Sequence, residues 1–120
     1  MANPSTTGPS GVGTEVLKRV YVESASNTTT SLLTVTANHI YTVLSLYFEN
    51  GQTATKNFSM LVSGDGSGAV YLIRNQSVQQ NATFVVNDRF VLTEGDILKI
   101  TSDSTDHDIW CSYIDQTFAA

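Results

Sequence analysis

The residues best able to do chemistry are few and lie far apart along the chain. The sequence has two histidines, His39 and His107, and one cysteine, Cys111. Nucleophilic catalysis needs a nucleophile beside a base that a third group orients. Both histidines flank polar turns, so we expect solvated loop residues rather than bases or metal ligands. Cys111 lies on an apolar strand face and is expected to be a small buried hydrophobe. No catalytic residue is predicted, and the protein is not expected to be an enzyme.

Two short motifs look like chemical sites, and neither fits one. Asp103, Asp106 and Asp108 could offer oxygen ligands to calcium. Calcium takes about six to eight oxygens, and this segment lacks the loop of about twelve residues that ends in glutamate. The glycine-rich stretch 64–68 is superficially like a nucleophile elbow, but its serine is not at the centre of a G-x-S-x-G motif. An acidic loop and a turn explain both motifs, so we predict neither a metal nor a cofactor.

Length and charge limit the classes of protein that this chain can belong to. A chain of 120 residues fits one domain. The net charge is −5 and the 6 basic residues are scattered, which argues against nucleic acid as a direct partner. No apolar run approaches the roughly 18 residues of a membrane-spanning helix, and the N-terminal segment has no features of a signal peptide. We therefore expect synthesis in a cytoplasm, no membrane partner and, with one cysteine, no internal disulfide.

From Glu15 onward, apolar residues alternate with polar ones, which is typical of half-buried strands. The apolar alternation runs through three early segments: Val16, Val20 and Val22; Leu33 and Val35; and Ile40, Leu44, Leu46 and Phe48. In the third segment Tyr41, Val43 and Tyr47 occupy the opposite phase, so we predict a central strand covered on both faces. Turns are expected at Asn50-Gly51, as a hairpin, at the glycine-rich stretch 64–68, and at residues 94–96.

About eight or nine short strands separated by turns predict an all-β protein with a single antiparallel β-sandwich of jelly-roll-like type. We expect an extended N-terminal arm over 1–13, the sandwich over 14–116, and a C-terminal tail over 117–120. The predicted core includes apolar residues of the later strands: Phe58, Met60, Val62, Leu98, Ile100, Ile109, Cys111 and Tyr113.

The first 13 residues are too polar and too rich in glycine and proline to fold alone. They form either a disordered tail or an arm that becomes ordered on a neighbouring subunit. In the second case Pro4, Pro9 and Val12 are the candidate interface residues.

Trp110 raises a question of orientation within the last strand, "DHDIWCSYID". If Ile109 and Cys111 point to the core, Trp110 must point to the other face. Aromatic residues are enriched in protein interfaces, so we predict that Trp110 is buried against another subunit. The alternative is that the arm or the stretch 64–68 of the same chain covers the indole.

The segment "NQSVQQNATFVVNDRFVLTEGDILKITSDSTDHDIWCSYID", residues 75–115, resembles a β-sandwich found among virion proteins of tailed bacteriophages. The similar features are a V-x-x-N-A-T-x-x-V strand, then L-x-E-G-D-x-L-K, then a closing alternating strand. "TTTSLLTVTAN" and "IYTVLSLYFEN" in the first half fit the same pattern. The resemblance rests on turn residues and on the alternation of apolar and polar residues. It therefore indicates the fold more specifically than the location in the particle.

The resemblance implies a capsid decoration (cement) protein, since a free-standing domain with an arm fits that class better than a module of a long fibre. Such a protein binds the major capsid protein on the outer surface of the head, stabilises capsomer contacts, and is often a homotrimer. One alternative is a neck or tail component. Another is a glycan- or receptor-binding module, in which four aromatic residues could stack on sugar rings: Trp110, Tyr41, Tyr47 and Tyr71.

Overall fold

A computed structural model describes residues 14–25, 29–64, 68–103 and 107–118 of the chain, and within these ranges it contains nine strands and no helix. The strands are β1 (Thr14–Ala25), β2 (Thr30–Thr34), β3 (His39–Asn50), β4 (Lys56–Ser63), β5 (Ala69–Val78), β6 (Thr83–Val86), β7 (Phe90–Leu92), β8 (Ile97–Ser102) and β9 (His107–Thr117). Accordingly, no membrane-spanning helix is found in these ranges.

The strands form two antiparallel sheets with one core between them. The first sheet has the order β1-β9-β3, with β6 and β7 both pairing on the far side of β3, and the second has the order β2-β8-β4-β5. The largest fully buried apolar side chains come from both sheets: Phe48, Phe58, Leu46, Met60, Leu92, Leu98, Ile100 and Ile109. The sequence-based prediction of a β-sandwich is confirmed.

The pairing of the strands is nested, which identifies the sandwich as a jelly roll. β1 pairs with β9, β2 with β8, β3 with β6 and β7, and β4 with β5. Strands β6 and β7 lie on successive parts of β3, so together they fill one strand position and the fold has the eight positions of a jelly roll. β4 and β5 pair as an antiparallel hairpin, as predicted, and residues 65–67 of the turn predicted between them lie outside the described residues.

The turn predicted at residues 94–96 joins the two sheets between β7 and β8. Gly95 has a φ of 90°, a backbone conformation that side chains with a Cβ rarely adopt. The Asp96 carboxylate accepts a hydrogen bond of 2.9 Å from the Thr93 N–H, and the Asp96 N–H donates to the Thr93 carbonyl at 2.9 Å. This part of the sequence-based prediction is correct.

Strand β3 is covered on both faces only at its start, where the adjacent Ile40 and Tyr41 are both buried, and not along its length as the sequence predicted. Its register against β9 shifts between Val43 and Ser45, and such a bulge reverses which residues point inward. Tyr41 and Val43 are buried before the bulge, whereas beyond it the inward phase passes to Leu46 and Phe48 and leaves Tyr47 46% exposed. The bulge, rather than a second covering layer, explains the apolar residues in both phases.

Asn50-Gly51 does not make a hairpin, because β3 and β4 belong to different sheets. Asn50 is instead fully buried. Its Nδ2 donates to the carbonyls of Ala54 and Val78 at 2.9 Å, and its Oδ1 accepts from the Gln52 N–H at 2.9 Å. The side chain therefore stabilises the connection between the two sheets. A local turn motif such as Asn-Gly does not reveal this role.

The remaining core predictions hold with small differences. Seven of the eight predicted core residues are buried, and Val62 is partly buried against the core. Val16 is 46% exposed although it shares a face with Val20 and Val22, because β1 is an edge strand with a neighbour on one side only. The last strand continues past residue 116 to Thr117, and Phe118 beyond it is buried.

Candidate interaction surface

The outward face of the first sheet carries a row of large side chains that crosses four strands. Tyr21 on β1, Trp110 on β9 and Tyr47 on β3 are directly opposite one another, and Val85 on β6 is opposite Tyr47. We call these four residues the aromatic row. All four are exposed, with 42% of Trp110 accessible.

Trp110 is held by neighbours on the same face. Its ring stacks on Tyr21 with the centroids 5.4 Å apart and the planes 15° apart. The guanidinium carbon of Arg19 lies 4.9 Å from the indole centroid and 5.2 Å from that of Tyr21. Stacking and cation–π contacts of this kind restrict the ring. The indole is therefore presented in one orientation.

The two flanks of the aromatic row carry opposite charges. On one flank a groove of about 320 Å³ between Tyr21, Tyr47 and Trp110 is lined by carboxylates of Glu23, Glu49 and Asp108. On the other flank a depression beside Trp110 is lined by the cationic side chain of Arg19, by small residues and by apolar ones: Ser45, Ser112, Leu17 and Leu44. The surface is thus apolar along its middle and divided by charge across it.

Two further exposed apolar side chains extend this surface. Leu17 on β1 is 71% exposed and Val91 on β7 is 57% exposed, and the register places both in the outward phase. Single exposed apolar residues are ordinary, whereas a contiguous group on one face marks an interaction surface. Six of the ten exposed large apolar residues in the described part of the chain belong to this face.

The orientation predicted for Trp110 is confirmed, since Ile109 and Cys111 on either side of it are buried. The other candidate interface residues, Pro4, Pro9 and Val12, lie outside the described residues, as does the stretch 65–67 that could have covered the indole. Tyr21 and Arg19 were not identified from the sequence as part of this surface. Alternation gives their phase on β1, but only the β1–β9 register brings them to Trp110.

A second cluster of polar groups lies on the inward face at the opposite end of β9. The Asp115 side chain is 4% exposed, and its two oxygens lie 2.8 Å from Lys18 Nζ and 2.6 Å from His39 Nδ1. Burial raises the pKa of Asp115, but hydrogen bonds from Lys18 and His39 outweigh burial, and the net pKa is lowered. This cluster ties β1, β9 and β3 together at one end of the sheet.

The two histidines are not the solvated loop residues that the sequence predicted. His39 begins β3 and contacts the buried Asp115. His107 is fully buried, with its ring 4.9 Å from that of Phe48 and its Nε2 2.6 Å from Ser102 Oγ. Both findings follow from the alternation of β9, in which residues 107, 109, 111, 113 and 115 all point to the core. This alternation buries His107 itself and also buries Asp115, the partner of His39.

Cys111 lies in the core, and Asp103 of the acidic series forms a hydrogen bond within the chain. Cys111 is fully buried, and burial raises the pKa of its thiol to about 12. A thiol in that state is a poor nucleophile at neutral pH. The Asp103 carboxylate accepts a hydrogen bond from the Asn57 N–H at 3.1 Å, and Asp106 lies outside the described residues. Within the described ranges, no group of three His, Cys, Asp or Glu residues is arranged to hold a metal ion.

No protein-family model matches the chain, and no curated protein matches it. Among solved structures, a chain from Bacillus endospore appendages, described as a novel family of disulfide-linked pili, is 17% identical. The match covers 98% of this chain and 100% of that chain with a TM-score of 0.57. A chain of the T13 viral particle of infectious bursal disease virus is 9% identical and matches 87% of this chain with a TM-score of 0.54, and the match covers 31% of that chain. At these identities the likeness shows the fold alone.

Proposed function

We propose that the protein is a non-enzymatic structural subunit of a virus particle, and specifically a decoration protein that binds the major capsid protein on the outer surface of a bacteriophage head. The observation that carries this proposal is the exposed aromatic row. The jelly roll already buries the inner faces of both sheets, so the row contributes nothing to that core. An ordered aromatic surface of this kind is typical of a subunit interface.

The separation of the titratable groups supports a structural role. His107 and Asp115 are eight positions apart along β9, roughly 27 Å at the rise of an extended strand. Cys111 lies between them and is buried. Acid–base or nucleophilic catalysis requires such groups within hydrogen-bond reach of one another and of a substrate. Each group here serves packing or a local ion pair instead.

The assignment to a virus particle rests on two supports. The first is the resemblance of residues 75–115 to virion proteins of tailed bacteriophages. The second is the jelly roll itself, a fold that occurs in viral capsid domains and is shared with the chain of the T13 viral particle. The low charge, at 14% of residues, suits a surface that contacts other protein as well as water.

A subunit of a filament is the second candidate. The observation that favours it is the match to the endospore appendage chain, which extends over nearly the whole of both chains. That family is described as disulfide-linked, whereas the one cysteine of this chain is fully buried. A filament of this protein would therefore be held by non-covalent contacts. Electron microscopy of the purified protein, with and without a reductant, tests this candidate.

A glycan-binding role has weaker support. The groove beside Trp110 does combine aromatic and carboxylate side chains. Sugar stacking needs an open aromatic face, however, and Tyr21 and Arg19 already lie against the indole. Isothermal titration with oligosaccharides would detect this activity, and saturable binding that Trp110→Ala removes would favour it over the decoration role.

Binding to undecorated heads tests the proposal directly, and the chain offers a matched control. Trp110 and Tyr71 are each 42% exposed and each lies under an arginine, but they belong to different sheets. We expect Trp110→Ala to weaken binding by about tenfold or more, as for an interface hot spot, and Tyr71→Ala to leave it within about twofold. Equal effects of the two substitutions would contradict the proposal.

Copy number in purified particles tests the location. A decoration protein should be present in amounts of the same order as the major capsid protein, whereas a neck or tail protein should be present in about a dozen copies or fewer. Quantitative mass spectrometry of the virion distinguishes these outcomes.

The arm proposed over residues 1–13 is tested by deletion. The shortened protein should keep its thermal stability, because the core lies within the described strands, and should bind heads more weakly. Unchanged affinity would show that the segment is only a tail.

A further inference from the structure

We propose that the aromatic row is the centre of a two-fold interface with a second copy of this chain, in which the sheets pack face to face and the strands of the two copies run in opposite directions. This inference rests on the proposed function only in taking the outward face of the first sheet as an interface. It adds the identity of the partner and the orientation in which the partner binds.

The charge pattern on β1 is the first step. Arg19, Tyr21 and Glu23 are two residues apart, so they share the outward face in the order cation, aromatic ring, carboxylate. Across the sheet only the acidic end of this order is repeated. The row that contains Arg19 runs through Ser112 to Ser45, and the row on the other flank pairs Asp108 with Glu49. Each flank lies roughly 7 Å from the aromatic row, which is the rise of two residues in a strand.

A two-fold axis between sheets that pack face to face lies in the plane of the interface, and its two limiting directions are parallel to the strands and along the aromatic row. An axis parallel to the strands leaves the strands of the two copies running in the same direction. It places the acidic flank of one copy against the acidic flank of the other, which is repulsive. An axis along the aromatic row reverses the strand direction, so Arg19 of each copy faces the acidic flank of the other. Because the two flanks are equally distant from the row, both charge pairs form together. The charge pattern therefore selects the second orientation.

The shape of the row agrees with this arrangement. The two-fold axis brings Trp110 of one copy against the aromatic row of the other, where the indole is already held by Tyr21 and Arg19. Ser112 and Ser45 line the depression beside Trp110, and the axis places their small side chains opposite Asp108 and Glu49 of the other copy. A pre-ordered aromatic side chain near the centre of an interface is a usual form of hot spot.

The two-fold arrangement differs from the homotrimer that the family resemblance suggests. In a cyclic trimer each contact joins two different surfaces, so no single face has to complement itself. On the outward face of this sheet Arg19 and Glu23 form a self-complementary pair of charges, and a two-fold contact uses such a pair twice. The number of chains in the free oligomer separates the two arrangements.

Charge reversal on one strand provides the test. Arg19→Glu and Glu23→Arg each place like charges against each other in a homodimer, and both positions are exposed. We expect the wild-type protein to sediment as a dimer and each variant to associate at least about tenfold more weakly. An equimolar mixture of the two variants should restore dimers, because in the mixed pair both contacts join a cation to a carboxylate. Sedimentation equilibrium and native mass spectrometry measure these species.

Three outcomes would overturn the inference: a wild-type protein that stays monomeric at high concentration, a wild-type mass of three chains, or a mixture of variants that associates no better than either variant alone. Unchanged circular dichroism and thermal midpoints of the variants exclude misfolding as the cause of weaker association. Head binding is measured separately. A dimer that binds no head would contradict the proposed function but support the two-fold interface. A monomer that binds heads through Trp110 would support the proposed function but contradict the two-fold interface.

Discussion

Replacing Lys18 by Met should destabilise the sandwich more than replacing its partner Asp115 by Asn. The two side chains form an ion pair of 2.8 Å, but the Asp115 side chain is 4% exposed whereas that of Lys18 is 46% exposed. An ammonium group that loses its partner stays in water. A buried carboxylate that loses the ammonium group keeps its desolvation cost, and here only the contact with His39 remains to offset it. Removing the charge of Lys18 should therefore cost more stability than removing the charge of Asp115.

The expected magnitudes follow from these surroundings. Lys18→Met should lower the free energy of unfolding by about 2–3 kcal/mol, below the usual cost of breaking a fully buried pair because Lys18 is half exposed. Asp115→Asn should cost about 1 kcal/mol, since the asparagine can still bond to His39 and Lys18 returns to water. For a chain of this length, about 1 kcal/mol corresponds to about 4 °C in Tm. The expected losses are therefore about 8–12 °C and about 4 °C.

The pH dependence gives a second signature. Because the pKa of Asp115 is lowered in the folded protein, its contribution to stability is present above the ordinary carboxyl pKa of about 3.9 and is lost as the pH falls through the folded-state value. The hydrogen bond with Asp115 raises the pKa of Lys18. Its contribution is present below about pH 10.4 and is lost as the pH rises through the folded-state value. The gap between wild type and Lys18→Met should be constant near neutral pH and smaller at pH 3.

Thermal unfolding followed by circular dichroism at pH 7 and pH 3 measures both signatures. Lys99→Met on β8 is the control, since no ion pair of Lys99 is found among the described residues, and we expect it to change Tm by less than about 2 °C. Equal losses for Lys18→Met and Asp115→Asn, or a gap that is unchanged at pH 3, would refute the reasoning.

Three further predictions concern the core. Ile100→Asp should prevent soluble expression, because Ile100 is 2% exposed and a buried unpaired carboxylate is costly; a soluble, folded variant would disprove its burial. Asn50→Ala should lower the free energy of unfolding in urea by about 2–4 kcal/mol, because it leaves the buried carbonyl of Val78 without its donor; a loss under about 1 kcal/mol would show that water replaces the amide. The Cys111 thiol should react with a thiol reagent only when the protein is unfolded, because burial raises its pKa to about 12; rapid labelling under native conditions would contradict this.

The sequence was sufficient to predict the features that depend on local alternation. The phase of the last strand follows from Ile109, Cys111 and Tyr113, and it places Trp110 outward without any knowledge of the neighbouring strands. The turn around Gly95 and the β4–β5 hairpin likewise depend on residues that are adjacent in the chain. For this reason the all-β class, the approximate number of strands and the orientation of Trp110 were predicted correctly.

Most of the errors arise from contacts between distant parts of the chain, whereas the burial of His107 follows from the alternation of β9. The bulge after Val43 depends on how β3 pairs with β9, so alternation within β3 alone gave the wrong inward residues. Asn50 looked like a turn residue, but its side chain bonds to Val78 and so holds a crossover between sheets. His39 looked solvated because its partner, Asp115, is 76 positions away. Local spacing carries no information on such partners.

The nested pairing has a consequence for the order in which the protein can be made. Strand β9 lies between β1 and β3, and Thr14 at the start of β1 is opposite Thr117 at the end of β9. During synthesis β1 and β3 leave the ribosome long before β9, so the edges that pair with β9 stay unpaired until it has been made. The surface around Trp110 is completed only by this last strand. Chains in which β9 has not yet been made lack Trp110 and thus cannot associate through this surface.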